Sequence, residues 1–409
     1  MNILFIHRDL PAQFASLIRY FAASSQNKVF GICDDVSTPL LASMPDNVTL
    51  LRYPAPVKPA PQTHHYVLDL ERGVLRAQCV VKILQKCRQQ GVHFDLIIAH
   101  IGWGEALYVK DLYPEARLLG YAEFFFHTHG ADVGFDPAFP VSLDFLLQVK
   151  TFNAQLLLGL NECDALVTPT YWQKSLFPKQ YQTDMHVIHE GVDIDQVKPD
   201  LDIHFTLACG LQLDRSNEVI TYCARSLEPY RGFPVFIKAL EIICQQRPKC
   251  HILIVGGDEV SYSPALSNGQ SYREKYLQEA QLPVDRVHFL GHVSYTTHLQ
   301  LLQLSSVHIY LTYPFVLSWS FMEAMASECV LICSNTLPVV ELIEHQKNGL
   351  LVDFFDYQTI AEQVEQVFNH SGRMNYLGRQ ARQTISQHYQ RQFSLAQYQN
   401  LCQTLISDT

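Results

Sequence analysis

The chain has 409 residues, too many for one ordinary domain, so two domains are the natural expectation. Apolar residues make up 48% and charged residues 17%, which excludes a disordered chain and leaves ample material for buried cores. The formal charge of −10 argues against a duplex nucleic-acid partner, while leaving room for a small phosphorylated ligand that needs only a few local cations. The 11 cysteines form no CxxC pair or metal-ligand cluster and read as reduced, mostly buried thiols. No apolar run reaches the roughly 18–20 residues of a spanning helix, and MNILFIHRDLPAQF lacks a signal-peptide layout. The expectation is a cytoplasmic protein, with peripheral attachment at the inner membrane face left open.

Asn2–His7 reads as a short buried strand, followed by a turn at Pro11 and an amphipathic helix through Phe14, Leu17, Ile18 and Phe21. Strand, loop and helix in that order begin a doubly wound sheet. Lys28–Cys33 is the next strand. Pro54, Pro56, Pro59 and Pro61 then require an extended loop. A helix follows with Leu75, Cys79, Val80, Ile83, Leu84 and Cys87 on one face. Arg76, Lys82, Lys86 and Arg88 lie opposite, a basic back that suits solvent or an anionic bilayer. Asp95–Ala99, Ala116–Tyr121, Ala165–Thr168 and Met185–His189 are short apolar runs of the kind found in parallel strands. Asp200–Asn217 lacks periodicity and reads as a linker.

The alternation then restarts. Strands are expected at Val219–Ala224, His251–Val255, Arg286–Leu290, Val307–Leu311 and Val330–Ser334, a helix at Phe233–Gln245, and a helical tail from Gly372. The fold class is α/β, two Rossmann-like doubly wound domains facing a central cleft. The first spans 1–200 and the second 205–385, with the C-terminal helix, about 385–409, free to pack back on the first. Ligands in such sheets sit at the carboxyl ends of the strands.

Two stretches of the second half carry chemistry. In Arg225-Ser-Leu-Glu228-Pro-Tyr-Arg231-Gly232, two guanidinium groups six residues apart bracket the end of a strand. Arginine stays charged and grips phosphate oxygens in a two-pronged manner. Fixed cations there would stabilise a leaving diphosphate without a metal. In Tyr313-Pro-Phe-Val-Leu317-Ser318-Trp319-Ser320-Phe-Met-Glu323, a strand runs into a loop and then a helix. Ser318 or Ser320 can cap that helix, its N–H groups make an anion site, and Glu323 can accept hydrogen bonds from ribose hydroxyls.

These pieces resemble the retaining GT-B glycosyltransferases of family 4, glycosyl transferases group 1. The chain looks most like a subgroup with TYPFVLSWS in place of the usual acidic loop. The likeness runs through PAQF (Pro11–Phe14), HIGWGE (His100–Glu105), GADVGFD (Gly130–Asp136), TPTYWQ (Thr168–Gln173) and VIHEGVD (Val187–Asp193). It continues through RSLEPYRG, VGGDE (Val255–Glu259), HFLGHV (His288–Val293), MEAMA (Met322–Ala326) and NGLLV (Asn348–Val352). The resemblance implies a GT-B fold and transfer of a sugar from a nucleoside diphosphate sugar to a hydroxyl acceptor, with no cofactor. It implies that Arg225 and Arg231 hold the diphosphate and that Glu323 binds the ribose. Glu228, Gly257, Leu317, Ser318, Trp319 and Ser320 complete the expected donor contacts. The family's first glutamate of the pair would fall at 315, where this chain has Phe315, and Ala12 stands where glycine is more usual.

On the acceptor side, His127 and His129 in FFFHTHG follow a strand end, and His127 is the expected histidine near the reaction centre. Gln13, His100, Glu105, Glu123, Asp132 and Asp136 are further candidates. A metal is not expected, because His127 and His129 lack a third ligand. A glycan or lipid-linked acceptor in polysaccharide or glycolipid synthesis is the family-level expectation. Two other classes stay open, a noncatalytic nucleotide-sugar-binding protein of this fold and a nucleotide-sugar epimerase.

Overall fold

The computed structural model describes residues 1–34, 44–54 and 58–407. Of the proline-rich loop, Pro56 lies outside those residues; Pro54, Pro59 and Pro61 sit in irregular backbone as expected. The chain divides into two compact units, Met1–Gly191 with Arg391–Thr409, and Val192–Gln390.

The first unit is built on β1 (Asn2–Ile6), β2 (Lys28–Asp34), β3 (Val48–Tyr53), β4 (Leu96–His100), β5 (Arg117–Tyr121), β6 (Ala165–Thr168) and β7 (Met185–Val187). All pair in parallel, in the order β3-β2-β1-β4-β5-β6-β7. Every residue of β4 is buried, as a strand with helices over both faces requires. One layer packs helix Leu68–Gln89 through Val80, Leu84 and Cys87 against Leu4, Ile97 and Leu118. The other packs helix Ala15–Ala22 through Leu17, Ile18 and Phe21 against Ile3, Phe5 and Ile98. The C-terminal helix Arg391–Ser407 joins that second layer, burying Tyr398 and Cys402.

The second unit opens with a short antiparallel hairpin, β8 (His204–Thr206) and β9 (Gln212–Asp214). The stretch read as a linker is therefore structured: Phe205 and Leu213 pack on the second core, an anchor too short to show as periodicity. The main sheet comprises β10 (Val219–Ser226), β11 (His251–Gly257), β12 (Val287–Gly291), β13 (Val307–Tyr310), β14 (Val330–Ser334) and β15 (Leu350–Val352). The strands are parallel, in the order β12-β11-β10-β13-β14-β15.

In each sheet the chain direction of travel reverses once, between β1 and β4 and between β10 and β13. Such switch points open a crevice at the strands' carboxyl ends, where α/β sheets bind ligands. Arg225 lies at the end of β10, and the Thr312–Ser318 loop leaves β13, so both flank the second switch point.

All eleven cysteines are free thiols. No described helix is long and apolar enough to cross a membrane, and no cluster of three or more metal-ligating side chains occurs among the described residues.

Candidate functional site

Strand β10 runs further than its apolar stretch predicts, so Arg225 sits on the strand rather than in the loop after it. The register with β11 shifts between Cys223 and Ser226, a bulge. Bulges re-aim side chains, and here Ala224 is half-buried and Arg225 exposed between the buried Cys223 and Ser226. Among the described residues Arg225 has no hydrogen-bond or ion-pair partner.

Arg231 is the opposite case. It is 7% exposed and donates to Thr312 Oγ1 at 2.7 Å, to Tyr310 Oη at 3.3 Å and, through both terminal nitrogens, to the Val316 carbonyl at 3.1 Å. Burial works against its charge, but the Tyr310 and Tyr262 hydroxyls outweigh that and hold it firmly protonated. Every acceptor in these bonds is neutral, and no described carboxylate pairs with it. A buried cation with only neutral partners is a costly arrangement that an arriving anion relieves. Gly232 lets the chain turn here: its φ is +70°, and a Cβ would lie 2.4 Å from Leu311 Cβ.

Tyr310 Oη also accepts the Ser318 N–H at 3.0 Å, so one hydroxyl joins Arg231 to the start of helix Trp319–Ala326. Ser318 is the N-cap residue but makes no side-chain capping bond; its hydroxyl meets that of Ser320 at 2.9 Å. The helix's first N–H groups are thus left uncapped, with partial positive charge at that end. Trp319 is half exposed beside them and Leu317 packs on the core. Glu323 accepts from Tyr295 Oη at 2.7 Å and faces His298 Nε2 at 3.0 Å. The structure therefore brings Arg225, Arg231, the Ser318 helix start and Glu323 to the carboxyl end of one sheet.

Glu228 departs from its expected place among the donor contacts. It is fully buried, and its carboxylate accepts the backbone N–H groups of Ser261, Tyr262 and Ser263 at 2.9–3.2 Å. It fastens the loop after β11 instead of presenting an oxygen to a ligand. At Gly257 the space a Cβ would occupy is taken by the tips of the exposed Glu259 and His292 side chains, 2.0 Å and 2.3 Å away. Those two side chains pair at 2.9 Å.

In the first unit, the ends of β1, β4 and β5 collect His7, His100 and Glu123 around Gln13. The His7 and His100 rings stand edge to face at 5.0 Å, across the switch point between β1 and β4. Gln13 Nε2 donates to Glu123 Oε1 at 2.8 Å, and His100 Nε2 lies 3.4 Å from Glu123 Oε2. Burial opposes the charge of Glu123, but the His100 and Gln13 contacts prevail and hold its carboxyl below the usual range. Burial drives His7 well below the ordinary histidine value, helped by His100 and Arg8. Gln13 Oε1 and His100 Nε2 are buried without a well-directed hydrogen bond. Sequence reasoning missed His7, although a histidine closing an apolar strand run was a usable signal.

The other first-unit candidates have different partners. His127 Nε2 lies 2.6 Å from the Leu176 carbonyl, so that nitrogen is engaged within the fold. His129 is exposed. Glu105 is buried against Tyr53 Oη at 2.9 Å, with Arg76 at 3.9 Å, and burial raises its carboxyl. Asp132 is buried, and Asp136 Oδ1 accepts the Ala138 N–H at 2.8 Å.

Residues 25–197 match the glycosyl transferase family 4 group, and residues 212–384 match the glycosyl transferases group 1 family. A GDP-mannose-dependent phosphatidylinositol monomannoside mannosyltransferase of Mycobacterium tuberculosis is 22% identical over 305 residues, 71% of each chain. Anabaena HepE, solved in complex with UDP-glucose, superposes with a TM-score of 0.64 at 17% identity, covering 99% of this chain and 100% of HepE. Sucrose-phosphate synthase of Thermosynechococcus elongatus superposes with a TM-score of 0.72 at 16% identity, covering 100% of each chain. These structures share the two-domain GT-B fold.

Proposed function

This chain belongs to the group 1, family 4 glycosyltransferases, and we propose that it moves a sugar from a nucleoside diphosphate to a hydroxyl acceptor with retention of configuration. The observation that carries the donor assignment is Arg231, a buried cation satisfied only by neutral oxygens, with the unpartnered Arg225 and an uncapped helix start at the same end of the sheet. Together they favour a ligand with two adjoining negative groups. UDP-glucose in HepE and the GDP-mannose dependence of the mycobacterial relative support a nucleoside diphosphate sugar.

As the bond to the sugar breaks, negative charge grows on the leaving diphosphate. Arg225, Arg231 and the Ser318 helix start stabilise that charge, doing without a metal what a divalent cation does elsewhere. Glu323 takes the ribose hydroxyls, exchanging Tyr295 for them. On the acceptor side the role expected of His127 passes to Glu123, His100 and Gln13. Gln13 and His100 hold the Glu123 carboxylate in place, so its orientation toward an incoming hydroxyl is preorganised. The leaving diphosphate's own oxygen takes the acceptor's proton. The acceptor is a glycan or a lipid-linked glycan met at the cytoplasmic membrane face, in keeping with the lipid acceptor in the mycobacterial relative's name.

The test is incubation with UDP- and GDP-sugars and a panel of glycan and lipid-linked acceptors. Released diphosphate is followed, and the product anomer is read by NMR. A product with the donor's anomeric configuration is expected. Inversion refutes retention, and binding without release for every pair makes the chain a noncatalytic binder.

A further inference from the structure

The loop between β13 and helix Trp319–Ala326 carries an aromatic wall. Phe315 stands edge to face on Tyr230 at 5.5 Å and tilted on Tyr262 at 5.0 Å. Tyr230 in turn lies tilted on Tyr313 at 4.6 Å, and Tyr313 meets Phe354 at 5.3 Å. The wall adjoins the phosphate-binding residues directly. The Arg231 guanidinium lies 5.5 Å over the Tyr262 ring, and its bonds to Val316 fix the residue next to Phe315. The nearby carboxylates are occupied: Glu228 by three backbone N–H groups, Glu259 by His292, Glu323 by Tyr295 and His298.

We infer, resting on the donor site proposed above, that Phe315 and its aromatic neighbours select a 6-deoxyhexosyl donor. A sugar attached to a diphosphate at Arg225 and Arg231 must lie against groups adjoining those residues. An aromatic side chain at 315 accepts no conventional hydrogen bond, so a hydroxyl pressed on it loses its water without a replacement. The exocyclic carbon is the position where removing the hydroxyl leaves a methyl group, which an aromatic wall takes well. Apolar pockets reject an added hydroxyl only modestly, so the preference is about 10- to 100-fold.

The experiment measures calorimetric affinities for UDP, GDP and matched pairs of nucleoside diphosphate hexose and 6-deoxyhexose. They are compared in wild type, Phe315→Glu and Phe315→Leu. The deoxy member of a pair binds wild type about 10- to 100-fold more tightly. Phe315→Leu retains the preference and leaves UDP or GDP affinity unchanged. Phe315→Glu abolishes or reverses the preference, read as the ratio of affinities within each pair so that any general effect of the new charge on the diphosphate cancels. Phe315→Leu keeps the test decisive should the charged variant fold poorly. Equal affinities within every pair, or sugars adding nothing to the diphosphate's affinity, overturn the selection and leave the phosphate site standing. Failure of both UDP and GDP to bind removes the donor site and this inference with it.

Discussion

Arg225 offers the cleanest separation of binding from folding. It is exposed and has no hydrogen-bond or ion-pair partner among the described residues, so Arg225→Ala removes no native polar contact. Surface substitutions of that kind change stability by about 0.5 kcal/mol or less. A hydrogen bond to a charged group contributes about 1.5–3 kcal/mol. At about 1.4 kcal/mol per tenfold change, its loss raises the Kd for UDP or GDP by roughly 10- to 150-fold. Arg225→Lys keeps the charge but loses the fork, and it recovers part of the affinity. Titration calorimetry gives the Kd, and thermal unfolding without ligand gives the stability. Unchanged affinity in Arg225→Ala would refute the reasoning. A large loss of stability would refute it too, because the residue would then be structural.

Three further outcomes follow from local geometry. Gly232→Ala combines a left-handed φ with a Cβ 2.4 Å from Leu311. Strain and overpacking should cost about 2–4 kcal/mol and displace Arg231, seen as a lower unfolding midpoint and weaker diphosphate binding; a wild-type midpoint contradicts this. Ala12 holds a φ of +37°, so Ala12→Gly should gain up to about 1 kcal/mol by relieving strain, a gain that an equal loss in urea unfolding would disprove. His308 is buried against Thr221 Oγ1 at 2.8 Å, and burial pushes its pKa down to about 3. The folded form keeps it neutral, so its contribution is full above about pH 6.5 and falls by about 1.4 kcal/mol per unit as pH drops toward 3. Urea unfolding of His308→Gln should show that much less dependence on pH, whereas identical slopes refute the assignment.

Much of the scaffold was legible because fully buried parallel strands are written as uninterrupted apolar runs. Leu96–Ala99 and Val330–Cys333 are such runs and lie where expected. Val48–Tyr53 escaped notice because Thr49 and Arg52 break its apolar character, and Leu350–Val352 because three residues show no period. The charges of the donor site were legible as residue types, but their environments were not. Nothing in Arg225-Ser-Leu-Glu228 announces a bulge that exposes the arginine, or a loop 33–35 residues on whose N–H groups take the glutamate. Arg231 reads as a loop cation, yet it is buried by Tyr310, Thr312 and Val316, about eighty residues away in the chain. Neighbours that remote in sequence leave no local pattern to read.

The central claim is that Arg225, Arg231 and the start of helix Trp319–Ala326 hold one diphosphate at the second sheet's switch point. A crystal structure with UDP or GDP bound tests it most directly. Phosphate oxygens about 3 Å from the Arg225 and Arg231 guanidinium groups and from the first N–H groups of that helix are the predicted result. A nucleotide bound elsewhere, with both arginines as they stand without it, would contradict the account.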